Sequence, residues 1–299
     1  MKKLYFVYVL LGLLCFSFAS CQKVVTEEID EIEEATDGQT VRFNVVQLEQ
    51  IPFADIFASR GTDVKSVCNR ISLALYQNGV KVKQINQTSN DADFGQLKLN
   101  VAAGTYKVVL IAHSGLKAPT MTDPEKITFN GKVTDTFYYC KDLELTGGST
   151  YDIMMKRAVA MFRLVIADKI PSNVALMHFY YTGGSSTFDA VHGVGNVNSR
   201  QTEFRDVTEE MHGKSGTFEV YTFPHSDGRK LKIQVTAHDA GNNVLVEKVF
   251  EDVEVKRNVI TQYRGSFFGG EIEDEDIESG GIQLNLYSED EWKEVVQTY

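Results

Sequence analysis

The sequence is short of cysteine, proline, tryptophan and positive charge. Its 299 residues include 4 Cys, 5 Pro and 1 Trp, and 30 Lys plus Arg stand against 41 Asp plus Glu. The cysteines, one of them (Cys15) inside the N-terminal leader, supply neither a disulfide framework nor a four-thiolate zinc site. A net charge of −11 repels phosphate, which argues against nucleic acid as a partner and against anionic lipid surfaces. With 43% hydrophobic residues the chain is neither disordered nor collagen-like. The apolar run from Leu4 to Leu14 is too short for a comfortable membrane span. Catalytic signatures are missing as well. The six histidines show no H-E-x-x-H or paired metal spacing, and there is no G-x-S-x-G elbow or phosphate loop. Gly193-Val194-Gly195 lacks the third glycine and the following helix of a dinucleotide site. Neither an enzymatic activity nor a cofactor is expected.

What is present begins with a leader. Residues 1–20 have the layout of a secretory signal, with Lys2 and Lys3 ahead of the Leu4–Leu14 apolar stretch. Phe18-Ala19-Ser20-Cys21 follows and resembles the lipobox of bacterial lipoproteins, in which the cysteine is diacylated and becomes the mature N-terminus. An aliphatic residue is usual where Phe18 stands. Acylation of Cys21 would hold the protein at a membrane without a spanning helix. Residues 21–39 carry Glu27, Glu28, Asp30, Glu31, Glu33, Glu34 and Asp37 and read as an acidic tether. This run resembles the acidic signal that sends Bacteroidota lipoproteins to the cell surface, but starts later, behind Lys23. A plain solvated linker fits it equally.

From residue 40 the pattern is β. Val41-Phe43-Val45, Val67-Asn69-Ile71-Leu73-Leu75, Leu97-Leu99-Val101 and Leu231-Ile233-Val235-Ala237 each alternate with an opposite, more polar set. A period of two puts one side on a core and the other in water. On that reading Cys68, Arg70 and Ser72 lie on a polar side. Asn78-Gly79 marks a two-residue hairpin, and Ala103-Gly104 turns a strand over 95–101 into an apolar, central one over 105–113. Further strands are expected over 136–145, 150–166, 174–181, 217–223, 244–250 and 258–268. The run 150–166 is overlong, and Lys156-Arg157 interrupts it. This places a boundary between a β-sandwich over 40–155 and a second over 156–299, the latter including the acidic hinge Glu271–Glu278 and a terminal strand.

Three segments, besides the lipobox at Cys21, carry a family resemblance. They are Leu99-Asn100-Val101-Ala102-Ala103-Gly104-Thr105-Tyr106, Lys156-Arg157-Ala158-Val159-Ala160-Met161-Phe162-Arg163, and Ile282-Gln283-Leu284-Asn285-Leu286 followed by Asp290-Glu291-Trp292. In layout the chain resembles the fimbrillin-like lipoproteins of Bacteroidota, especially the FimB-type fimbrial anchor subunits. The resemblance implies an all-β body of two tandem transthyretin-like β-sandwich domains, fimbrillin subunits as partners, and attachment to the outer membrane. In the pilins of that family an arginine-specific protease removes the first strand, and a neighbour's strand fills the groove. Arg60, in the loop behind a first strand over Val41–Leu48, stands where such processing would fall, although an exposed loop holds such an arginine ordinarily and that plain reading is the favoured one. Cleavage there would separate lipid from body, so Arg60 distinguishes an anchor from a polymerising subunit. The strand at Ile282–Leu286 would either be donated or pair within its own domain.

The alternative is a surface lipoprotein that binds a glycan or a host protein. Phe137-Tyr138-Tyr139 and Tyr180-Tyr181 are its candidate stacking platforms, although alternate aromatics in strands also build cores. Cys68 and Cys140 would pair if their strands are neighbours; otherwise they are two thiols. The acidic run Glu271–Asp276 lacks the bend glycine of a calcium loop and reads as a hydrated hinge.

Overall fold

The computed structural model describes residues 38–49 and 64–272, together with the backbone of 283–287 and 297–298. Cys21, Arg60, nearly all of the tether and most of the acidic hinge lie outside the described residues, and Gln39, expected as the tether's last residue, opens the first strand. The chain is all-β. Its first strands are β1 (Gln39–Leu48), β2 (Arg70–Gln77), β3 (Val80–Thr88), β4 (Gln96–Val101), β5 (Gly104–His113), β6 (Ile127–Thr128), β7 (Thr136–Leu145) and β8 (Thr150–Arg157). There follow β9 (Ala160–Ile166), β10 (Leu176–Gly184), β11 (Thr187–Asp189), β12 (Val194–Gly195), β13 (Ser199–Asp206), β14 (Gly216–Thr222), β15 (Leu231–His238), β16 (Val244–Val253), β17 (Ile260–Gly265), β18 (Gln283–Tyr287) and β19 (Gln297–Thr298). A four-residue helix, Val64–Val67, precedes β2.

The first eight strands, β6 excepted, form one sheet in the order β3-β2-β5-β7-β8-β1-β4. β7 and β8 pair only at Phe137↔Arg157 and Tyr138↔Lys156. Beyond that pair the sheet folds over, so β3-β2-β5-β7 faces β8-β1-β4. The alternating apolar positions meet between these layers: Val41, Phe43, Leu73, Leu75, Val108, Leu110 and Ile153 belong to one core cluster. Asn78 and Gly79 take φ of 52° and 79°, as a primed hairpin turn requires, and join β2 to β3.

The remaining strands build a second pair of layers, β13-β10-β15-β16 and β14-β9-β17-β18-β19. Phe162, Leu164, Phe179, Ile233, Val235 and Tyr263 fill the core they share. A third cluster joins Ala74, Tyr76, Val109 and Ile111 of β2 and β5 to Met121, Ile127, Phe188 and Phe223. The three-stranded sheet β12-β11-β6 caps it.

This third cluster corrects one expectation. Cys68 and Ser72 are buried rather than on a polar face, at 2% and 0% exposure. Ser72 shares the outer side of β2 with Ala74 and Tyr76, which the third cluster covers, whereas Cys68 lies ahead of β2, where its amide closes the short helix on Val64, and it packs into the first core instead. The overlong run 150–166 resolves into β8 and β9, broken at Ala158-Val159. β11, β12 and β13 are additions the alternation did not signal. The terminal strand β18 pairs antiparallel with β17, Ile260↔Tyr287 through Arg264↔Gln283, so it lies within its own part of the chain.

Candidate functional site

The site of interest is the first strand and what holds it. β1 runs antiparallel to β4, with Phe43 opposite Leu97, and parallel to β8, with Phe43 opposite Tyr151. Both of its edges are therefore hydrogen-bonded. Its inward side chains explain why it forms here: Val41 and Phe43 are 1% and 0% exposed, and Phe43 stacks on Tyr151 at 5.3 Å. The outward side is tied down by Thr40 Oγ1 donating to Asn100 Oδ1 (2.9 Å) and Asn44 Nδ2 to Asp152 Oδ1 (3.2 Å). A bulge between Val45 and Gln47 turns Val46 outward.

At its C-terminal end β1 runs into a junction of charged groups. The Glu49 amide donates to the Met155 carbonyl (2.8 Å). Glu49 Oε2 accepts from the Arg157 amide (2.7 Å) and from Arg257 (2.7 Å). Arg257 also donates to the Arg157 carbonyl (2.9 Å). The Arg157 side chain is buried, bidentate to Asp135 (2.8 and 2.9 Å), bonded to Asn258 Oδ1 (2.9 Å), and 4.8 Å from the Phe137 ring centroid. A buried guanidinium needs this complete a set of acceptors, because an unpaired charge there would be strongly destabilising. Asn258 takes φ of 61° and donates its amide to Val159 O.

Beside this junction a groove of about 600 Å³ opens where β7 and β8 part, lined by Gln47, Glu49, Tyr139, Lys141, Asp152 and Met154. Tyr138 also borders it; burial pushes its hydroxyl pKa up, and nearby Arg257 offsets part of that rise. The expected aromatic platforms are not continuous surfaces. Phe137 and Tyr181 are fully buried, and Tyr138 packs edge-on against Phe188 at 4.8 Å. Cys68, just ahead of β2, and Cys140, in β7, are free thiols, with β5 between those two strands, and burial raises them to about 12 and about 11. His113 is buried too, and burial with Arg70 nearby lowers it to about 4. Sequence reasoning passed over Glu49, Asp135 and Asn258. Their only signal was the charge interruption at Lys156-Arg157.

The geometry defines an all-β protein of layered sheets with an internal first strand. The chain belongs to the family of unknown function DUF6562, whose model matches residues 35–298. No curated protein matches the sequence. Among solved structures it is similar to a candidate cell adhesion protein from Bacteroides ovatus, with 11% identity, TM-score 0.50, and coverage of 84% of this chain and 96% of that one. It is also similar to candidate polysaccharide binding proteins (DUF1812) from Bacteroides thetaiotaomicron, with 11% identity, TM-score 0.49, and coverage of 83% and 97%. The fimbrial anchor protein Mfa2 of Porphyromonas gingivalis aligns with 8% identity, TM-score 0.42, and coverage of 83% and 97%.

Proposed function

We propose that the chain is a non-enzymatic cell-surface lipoprotein, a fimbrial anchor or minor fimbrial subunit held at the outer membrane by acylated Cys21. The observation that carries this reading is the place of β1: the first strand, bonded on both edges, directly ahead of the segment that contains Arg60. A strand so placed has two fates. Retained, it keeps lipid and body in one chain; removed, it leaves β4 and β8 with unpaired edges that a strand from another subunit would satisfy. The fold shared with the Bacteroides ovatus cell adhesion candidate supports a role in adhesion, and the lipobox-like Phe18–Cys21 supports anchorage. The same proposal divides the body into sandwiches over 40–155 and 156–299, with fimbrillin subunits as the partners.

The test is N-terminal mass spectrometry of the protein recovered from cells, with co-purification in mild detergent. Acylated Cys21 on an intact chain that carries a fimbrial subunit is the expected result for an anchor. An N-terminus at Gly61 would identify a polymerising subunit instead. An intact lipoprotein that retains glycan and never a fimbrial subunit would overturn the fimbrial reading in favour of the glycan-binding alternative.

A further inference from the structure

The junction at the end of β1 does more than close a core. Glu49 is the first residue after the strand, and one of its carboxylate oxygens receives two donors at 2.7 Å. One is the Arg157 amide at the end of β8, the parallel neighbour of β1. The other is Arg257, which precedes β17 in the second layered region and also donates to the Arg157 carbonyl. Arg157 is in turn fixed by Asp135, ahead of β7, and by Asn258. The Glu49 side chain thus ties the end of β1 to the end of β8 and to the segment ahead of β17, and Arg157 carries the link on to Asp135, in addition to the backbone ladders. The Glu49 side chain is 23% exposed and that of Arg257 35%, so this pair is partly shielded from water, where charge-assisted bonds are stronger than at a free surface.

We propose that Glu49 is a positioning residue, a clasp that sets how firmly β1 is retained. This rests on the reading that β1 is the strand whose retention or loss decides anchor from polymerising subunit. A ladder frays first from its ends, where few bonds oppose opening. A carboxylate fastened at one end removes that starting point for fraying. β1 then opens from its Gln39 end or not at all.

The experiment is hydrogen exchange on the full chain, comparing wild type with Glu49→Gln and Arg257→Gln. With Glu49→Gln, the amides of β1 from Phe43 to Leu48 should exchange roughly 10- to 100-fold faster, as expected when two charge-assisted bonds become bonds to a neutral amide. Those of β10 and β15 should be unchanged. Arg257→Gln leaves the Arg157 amide bond in place and should accelerate the same amides less. Unchanged exchange in β1, or equal acceleration in every strand, would overturn the clasp; if Glu49→Gln fails to fold, Arg257→Gln decides by the same criterion. Co-purification from cells separates the two claims. Selective acceleration in a protein that never carries a fimbrial subunit leaves the clasp standing and removes the anchor. A co-purified subunit with no selective acceleration does the reverse.

Discussion

β2 and β5 are buried on both sides, whereas β10 and β15 turn one side to a core and the other, with His178, Tyr180 and Gln234, only half away from water. The difference shows in the interiors. Around β2 and β5 the buried residues are nearly all apolar, and the third cluster seals their outer side. The second region admits Gln201 and Glu203 at 8% and 4% exposure. Tyr181 donates to Glu203 (2.6 Å), Arg205 adds a further bond to it (2.7 Å), and Thr222 donates to Gln201 (3.3 Å). A polar group inside is tolerated where its partners arrive with it. One region is held by exclusion of water, the other partly by satisfied polar pairs.

The most severe way to break this contrast is to place one charge on each outer side. Val109→Asp, at a fully buried position in the third cluster, should cost at least about 4 kcal/mol or abolish folding. Gln234→Asp, on the half-open side of β15, should cost about 0.5 kcal/mol or less. Denaturant unfolding of both variants reads the difference directly, and equal costs would show that the two sides are covered alike. Between the regions, Arg157→Leu leaves Asp135 and Asn258 without the guanidinium, and about 3–5 kcal/mol should be lost in the same measurement.

Acid sharpens the contrast further. His113, at the end of β5, is neutral in the fold with its pKa lowered to about 4 against an ordinary 6.5. The unfolded chain binds the proton more readily, so this group's contribution is complete above pH 6.5. It is lost as pH falls from 6.5 through 4, at about 3 kcal/mol in total. Stability measured against pH should show this limb, and His113→Leu should remove it. A smaller loss than those at Val109, Arg157 and His113 falls in the second region. Tyr181→Phe leaves Glu203 its bond to Arg205 and should cost about 1 kcal/mol in urea unfolding.

Where apolar residues alternate against a single core, the strands were legible in the sequence. β1, β4 and β15 fall where the pattern puts them, and the Asn78-Gly79 turn follows from the φ values it needs. β13 was not legible because its alternation is inverted: Gln201 and Glu203 point inward while Phe204 is 56% exposed and stacks on His178 at 4.7 Å. No propensity reveals that exchange, since it depends on Tyr181 and Thr222 from other strands. The junction was hidden for a related reason. Lys156-Arg157 reads as a break in an apolar run, yet Arg157 is only 2% exposed. Its partners are supplied by residues 22 and 101 positions away.

β1 also has a mechanical consequence. Its bonds to β4 and β8 run across the strand, while the chain enters at Gln39 along its length. A force that enters at Gln39 and acts along the strand meets those bonds together, in shear, rather than one at a time as in unzipping. The far end is not slack either, because Glu49 hands tension on to Arg157 and Arg257. Tugged lengthwise, the strand behaves as a tensioned cable fixed at its far end, and rupture demands simultaneous failure along most of its length.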